Sequence, residues 1–197
     1  MPNWCNNTVI VDGNKKEIQR FIKYVKNPFT KAPLSFQTIL PMPRELERTQ
    51  SPAVIVTQEE YTKWRTQAEF NPHHGEQAMI TQEMSDNLKA KYGTDNWFDW
   101  KMANWGTKWE IGNDDITTIF EDTHLSYNFD TAWSPPEGIY VELVKQFPTL
   151  IIDWHYSEEG MEMFGNLATE TEVTDTSDVN SELAILLTHT VGEWERK

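Results

Sequence analysis

The feature that most constrains this chain is a tryptophan-rich stretch from Tyr92 to Trp109. It holds four of the nine tryptophans of the chain: Trp97, Trp100, Trp105 and Trp109. Each indole is a large apolar body with one N–H that needs a partner when it is buried. We interpret the stretch as a short helix, capped by Thr94 or Asp95, that is followed by a strand, with Gly106 at the joint. Such a corner either fills a core or lines a pocket.

Length and composition indicate one folded domain. A chain of 197 residues is long enough to bury roughly 70 % of its unfolded surface. The single cysteine, Cys5, excludes an internal disulfide and fits a reducing cytoplasm. The N-terminus has no basic signal region, and no stretch approaches the ~18 apolar residues of a membrane span. We therefore expect no membrane association.

The net charge of −14 is unevenly distributed. Residues 1–33 hold six Lys/Arg and two Asp/Glu, whereas residues 116–197 hold three Lys/Arg and sixteen Asp/Glu. So acidic a C-terminal half repels phosphate, and we expect no direct nucleic-acid binding. The acidity serves solubility, or it forms a surface that mimics nucleic acid or attracts a basic protein partner.

Apolar periodicity predicts both helices and strands. Strands are expected at 3–12, 108–111, 116–121, 124–133, 150–156 and 161–169, with an edge strand at Leu34–Leu40. Helices are expected at 15–26, 58–70, 81–91 and 137–147. The order of these elements indicates an α+β fold in which helices lie on one face of a mostly antiparallel sheet.

Two segments lie outside that regular pattern. Residues 44–92 are weakly patterned and are expected to form a helical insertion. Residues 170–182 are rich in threonine and acids, which predicts a mobile loop, and 181–194 is expected to be a closing helix. A strand over 185–191 is the alternative. The domain is thus expected to span 1–169, with 170–197 packed on it or appended to it.

Four motifs occur together and in order: Met1-Pro-Asn-Trp-Cys-Asn-Asn7, Leu40-Pro-Met-Pro43, Asn104-Trp-Gly-Thr-Lys-Trp109 and Phe129-Asp-Thr-Ala-Trp-Ser-Pro-Pro136. The set resembles the YubB ferredoxin-like family of phage and plasmid proteins. The resemblance implies a ferredoxin-like βαββαβ sheet with insertions and an origin on a mobile genetic element, hence residence in the bacterial cytoplasm. The family has no established activity, so no catalytic residues are implied.

Neither a metal nor a cofactor is expected. The candidate ligands are Cys5, His73, His74, His124, His155 and His189. No CxxC, HxxxH or HExxH spacing relates them, and one cysteine is too few for an iron–sulfur cluster. The sequence also lacks a GxSxG nucleophile motif, a phosphate-binding Walker loop and a GxGxxG motif.

Acidic residues near the tryptophans are candidates for hydrolytic chemistry. Asp99, Asp130 and the Glu158-Glu159 pair would form a carboxylate site if they converged, since hydrolases use two carboxylates and burial raises the pKa of one of them. The favoured alternative is that Asp99 and Asp130 pair with Lys101, Lys108 or indole N–H groups. Enzymatic activity is left open, with a non-enzymatic role favoured.

The remaining candidates are ligand-binding residues: Trp100, Asn104, Trp105, Lys108, Trp109, Asp130 and Trp133. Flat apolar walls with a few polar groups are typical of small-molecule sites. Indoles stack on nucleobases, and Lys108 would take a phosphate. The alternative is that the tryptophans are core.

Three functions follow as hypotheses. The first is an accessory protein of a phage or plasmid that binds a host or element-encoded protein, with counter-defence as one such role. The second is a small-ligand or nucleotide binder that uses the Trp/Lys cleft. The third is a carboxylate-based hydrolase.

Overall fold

A computed structural model of the chain describes residues 3–70, 78–112 and 115–168. The strands are β1 Trp4–Asp12, β2 Ile55–Val56, β3 Ile80–Thr81, β4 Thr117–Phe120, β5 His124–Ala132, β6 Ile151–Glu158 and β7 Met163–Ala168. The helices are α1 Lys15–Val25, α2 Phe36–Ile39, α3 Gln58–Phe70, α4 Gln82–Tyr92, α5 Trp97–Asn104 and α6 Glu137–Gln146. Within these ranges no helix has the length and apolar character that crossing a membrane requires.

The main sheet has five strands in the order β4-β5-β1-β6-β7, and every neighbouring pair is antiparallel. Strand β1 lies at the centre, α1 follows it, and α6 connects β5 to β6. The first four strands of that order therefore form a βαββαβ unit, and β7 extends the sheet beyond it. The predicted α+β, ferredoxin-like fold is confirmed.

The helices cover one face of this sheet. Strand β1 alternates strictly, with Cys5, Asn7, Val9 and Val11 completely buried and the residues between them more exposed. Helices α1 and α6 bury the predicted apolar stripes against this face: Ile18, Phe21 and Val25 on α1, and Ile139, Tyr140 and Leu143 on α6. Burial of an apolar side chain of this size contributes about 1.5–3 kcal/mol.

The opposite face of the sheet has no helix of the described residues on it and is polar. There Asn6 donates hydrogen bonds to the side chains of Asn128 (3.4 Å) and Asp130 (3.2 Å) on the neighbouring strand. Asn128 in turn donates to Thr8 at 2.9 Å. This open face ends at Trp4, beside the residues that form the candidate site.

The edge strand predicted at Leu34–Leu40 is wrong, because this segment forms helix α2. The Ser35 side chain caps it by accepting from the N–H of Thr38. The carboxylate of Glu110 accepts from the N–H groups of Phe36 (2.8 Å) and Gln37 (2.7 Å). Together these bonds satisfy backbone donors that a helix start leaves unpaired.

Two details of the tryptophan-rich stretch also differ from expectation. The N-cap of α5 is Asn96, whose side chain accepts from the N–H of Asp99. Thr94 and Asp95 were the wrong choices, because the Asp95 carboxylate is already bonded to Ser85 and Lys89. Residues 108–111 form no strand, since no neighbouring strand pairs with them.

Between α1 and β4 lie α2, α3, α4, α5 and the two-stranded parallel sheet β2-β3. The predicted helices at 58–70 and 81–91 are both present, and the second begins at a Thr81 cap and ends at Gly93 with φ +80°. The mobile loop and closing helix predicted within 170–197 lie outside the described residues.

Candidate functional site

The first half of the tryptophan-rich corner belongs to the core. Trp105 is 1 % exposed, and its Nε1–H donates to the carbonyl of Leu40 at 2.8 Å. Trp100 is buried beside it, and Asn104 donates its side-chain N–H to the Trp100 carbonyl at 2.8 Å. These three predicted ligand-binding residues therefore pack the interior and close helix α5.

Close backbone packing fixes where the chain goes after α5. Gly106 has φ +88°, and a Cβ there would lie 2.9 Å from the Pro135 carbonyl oxygen. A Cβ at Gly138, in the first turn of α6, would collide with the carbonyl of Asn104. Both glycines are needed for the end of α5 to pack against the start of α6.

Hydrogen bonds then hold the next residues against the end of β5. Thr107 donates its hydroxyl to the Ala132 carbonyl at 2.9 Å, and Ser134 donates to the Gly106 carbonyl at 2.6 Å. Thr131 donates to the Ser134 carbonyl at 2.8 Å. This bracing directs Lys108 and Trp109 outward, next to Trp133.

Lys108 lies between two indoles. Its ammonium is 3.6 Å from the ring centroid of Trp133 and 4.0 Å from that of Trp109. Trp133 has φ +72°, a backbone region that costs a non-glycine residue roughly 1–2 kcal/mol. Its N–H donates to the Asn3 carbonyl at 3.0 Å, which ties this turn to the start of β1. The chain thus holds a cation against two partly exposed indole faces.

A groove opens on the other side of Trp109. Its cavity is about 440 Å³, and we call it the Trp4–Trp109 groove. It is lined by Trp4, Trp109, Glu110, Gly112, Asp115, Asp130, Thr131 and Ala132. The indoles of Trp4 and Trp109 lie 6.0 Å apart between ring centroids, and they are 52 % and 40 % exposed. The groove therefore has two aromatic walls that solvent reaches.

The polar lining of the groove is acidic. Three carboxylates line it, from Glu110, Asp115 and Asp130, and none of the described lining residues is basic. Glu110 already accepts from α2, whereas Asp130 is exposed and accepts a side-chain hydrogen bond only at 3.2 Å, from Asn6. Carboxylates beside indole faces suit a cationic group, because both attract positive charge.

The carboxylates considered for hydrolysis do not share this groove. Asp130 lines it, but Asp99 and Glu158 do not. Asp99 accepts from Asn96 at 2.7 Å at the start of α5. Glu158 is buried, and its two oxygens accept from the N–H groups of Gly160 and Met161. Asp99 and Glu158 thus serve local backbone structure.

The candidate metal ligands are dispersed. Among the described residues, no group of three or more His, Cys, Asp or Glu side chains is arranged to hold a metal. His124 pairs through Nδ1 with Asp12 at 2.7 Å, and His155 is exposed in β6. Burial raises the pKa of the Cys5 thiol to about 11. His73, His74 and His189 lie outside the described residues.

The structure thus brings together Lys108, Trp109, Asp130 and Trp133 of the predicted ligand set. Sequence reasoning missed Trp4, Glu110 and Asp115. A signal for Trp4 existed: β1 and β5 pair so that Trp4 is opposite Ala132, the residue before Trp133. Aligning the two predicted strands as an antiparallel pair would have placed Trp4 beside the turn.

Comparison with known proteins supports the fold class. Residues 104–184 match a family model described as a ferredoxin-like domain in Api92-like protein. The crystal structure of a protein Api92 from Yersinia pseudotuberculosis has a TM-score of 0.45 and 12 % identity, covering 85 % of this chain and 94 % of that chain. No curated protein matches the sequence. Residues 104–184 are thus similar to the ferredoxin-like domain of Api92-like proteins.

Proposed function

We propose that this protein is a non-enzymatic accessory protein of a bacterial mobile element, a phage or plasmid, and that it acts in the host cytoplasm by binding a basic protein. The partner belongs to the host or to the element, and a defence component is one such partner. The origin rests on the four ordered motifs that resemble the YubB family. The mode of binding rests on the lining of the Trp4–Trp109 groove.

The observation that supports this mode is the combination of two exposed indoles with three carboxylates around one groove. An arginine side chain fits it best, because guanidinium stacks on an aromatic face while its N–H groups pair with a carboxylate. Lys108 occupies the neighbouring position between Trp109 and Trp133. The other face of Trp109 would receive the partner's cation in the same way.

Net charge supports the same class of partner. At −14 the chain attracts basic proteins at long range, which raises the association rate more than the final affinity. Rim charges are screened by salt, with a Debye length of ~8 Å at physiological ionic strength. The groove supplies the contacts that salt screens less.

The experiment is a pull-down from bacterial lysate with the tagged full chain at physiological salt, followed by mass spectrometry. It is paired with titration of an arginine-rich peptide and the same peptide with citrulline in place of arginine. We expect Trp109→Ala and Asp130→Asn each to weaken capture and arginine-peptide binding about tenfold, the loss of about 1.4 kcal/mol.

Asp153→Asn is the matched control, since Asp153 lies in β6 and does not line the groove. It should leave binding unchanged. Recovery of no partner at physiological salt, or equal binding of the arginine and citrulline peptides, would contradict the proposal.

A second candidate is a nucleotide or another small ligand. Its support is Lys108, which offers a positive charge between two indoles on which a base would stack. Acidic groove walls oppose it, because they repel phosphate. In a thermal-shift panel, a nucleotide at 100 times its dissociation constant should stabilise the fold by ~2.7 kcal/mol. No shift across the panel, with Lys108→Ala equally silent, removes this candidate.

A further inference from the structure

Strand β4 forms one edge of the main sheet, far from β7 at the other edge. Among the described strands it pairs only with β5. All four of its residues are exposed, and Ile119 and Phe120 are 59 % and 51 % exposed. An apolar edge with free backbone groups is a ready template for another strand.

The hairpin geometry shows which backbone groups are free. Glu121 donates its N–H to the His124 carbonyl at 2.8 Å, which closes a two-residue turn. Hydrogen-bonded and non-hydrogen-bonded pairs alternate along an antiparallel ladder. Ile119 therefore bonds to β5, whereas Thr118 and Phe120 direct their N–H and C=O groups to the open edge.

The side chains of Thr118 and Phe120 lie on the helix-covered face, because they are opposite the buried residues Tyr127 and Leu125. They border a cavity of about 280 Å³ between β4 and α1, which we call the edge cavity. It is lined by Ile22, Lys26, Lys31, Pro33, Thr118, Phe120, Leu125 and Tyr127. An added strand would place alternate side chains over this cavity.

The charge of the edge cavity is opposite to that of the Trp4–Trp109 groove. Its only charged lining residues among those described are Lys26 and Lys31. Lys31 donates to the Pro28 carbonyl at 2.9 Å, and within the described residues neither lysine forms an ion pair with a carboxylate. Phe29, two residues before Lys31, is 91 % exposed.

We propose that the β4 edge binds an extended acidic segment of a partner protein as an added antiparallel or parallel strand. The backbone of the segment pairs with Thr118 and Phe120. One apolar side chain enters the edge cavity, and a carboxylate two residues away meets Lys26 or Lys31. This surface is separate from the Trp4–Trp109 groove and needs no basic partner.

The test uses the full chain and a labelled peptide with the repeating unit Val-Thr-Glu-Thr, followed by fluorescence polarisation. The comparison peptide repeats Val-Thr-Lys-Thr. We expect the glutamate peptide to bind with a dissociation constant below about 100 µM and the lysine peptide at least about tenfold more weakly. Hydrogen exchange should show new protection of the Thr118 and Phe120 amides.

Three variants locate the binding. Lys26→Glu should weaken the glutamate peptide at least about fivefold, whereas Lys16→Glu makes the same charge change on α1 away from the cavity and should have no effect. Thr118→Pro removes an edge N–H that β5 does not use and should also weaken binding. Circular dichroism melting checks that each variant is folded.

Four outcomes would overturn the proposal. The glutamate peptide fails to bind, or both peptides bind equally. Alternatively, light scattering finds a dimer that Thr118→Pro dissociates, which would make a second copy the occupant. Finally, the Thr118 amide is already protected in the free monomer, which would mean that the chain covers its own edge.

Discussion

The indole of Trp4 lies 6.0 Å from that of Trp109, although one begins the central strand and the other follows the last turn of α5. The two are brought together because β1 and β5 pair with Trp4 opposite Ala132. Thr107 then fastens the chain after α5 to that same Ala132. The groove is thus a product of sheet register.

Replacement of Lys108 by methionine should lower the free energy of unfolding by about 1 kcal/mol. The change keeps the length of the side chain but removes a cation that contacts two indoles, each contact contributing about 0.5–1 kcal/mol. Urea denaturation measures the difference. Lys108→Arg should be close to wild type, and Lys23→Met should change stability by less than about 0.5 kcal/mol. Equal stability of Lys108→Met and wild type would show that the stacked cation contributes nothing.

Gly138→Ala should be among the most damaging single-methyl substitutions in the chain. The added Cβ collides with the Asn104 carbonyl, which belongs to helix backbone and moves little. We expect a loss of about 2–4 kcal/mol, at the upper end of overpacking effects. Gly93→Ala is the control: its Cβ meets open space, and only its φ of +80° opposes it, at about 1 kcal/mol. A reversed order of the two losses in urea would contradict the packing described.

Asp95→Asn should destabilise the protein by about 1–3 kcal/mol. Burial raises the pKa of Asp95, but hydrogen bonds from Ser85, Lys89 and Asn96 outweigh it and hold the pKa below its ordinary value of 3.8. Because the folded pKa is lowered, this stabilisation is complete above about pH 4 and is lost as the pH falls through the folded value.

The measurement is urea denaturation of wild type and Asp95→Asn from about pH 6 to about pH 3, where the two should converge. Asp86→Asn serves as the control, because Asp86 is exposed and accepts only from Gln82. A constant difference between wild type and Asp95→Asn over the whole pH range would mean that the carboxylate charge is not what stabilises this site.

Cys5 should resist alkylation in the folded protein. Its side chain is completely buried and burial raises its pKa to about 11, so at neutral pH only ~10⁻⁴ of it is thiolate even before access is considered. Iodoacetamide labelling followed by mass spectrometry should be negligible in buffer and complete in urea. Rapid labelling of the native chain would show that β1 opens locally.

The elements that sequence predicted well are those whose signals are local. Helix α1 begins at an Asn14 cap and carries one apolar stripe, and its bounds were predicted to within a residue. The same holds for β1, where alternation is strict. These patterns are sufficient because both elements bury a single face, and the ferredoxin-like order follows from their sequence along the chain.

The errors arose where distant residues decide local structure. The segment Leu34–Leu40 has strand-like composition, but the Glu110 carboxylate, far along the chain, supplies acceptors for the first turn of α2. The predicted strand at 108–111 lacks a partner strand, and Thr107 bonds to Ala132 instead. Of the site, Lys108, Trp109, Asp130 and Trp133 were identified, whereas Trp4 depends on strand register that no local pattern encodes.

Glu110 connects two parts of the molecule that have no other reason to respond to each other. Its carboxylate lines the Trp4–Trp109 groove and at the same time accepts from Ser35, Phe36 and Gln37 at the start of α2. A cation that enters the groove competes with those donors for the same oxygens. Occupancy of the groove and integrity of the first turn of α2 are therefore thermodynamically linked, and each must change the other by the same free energy.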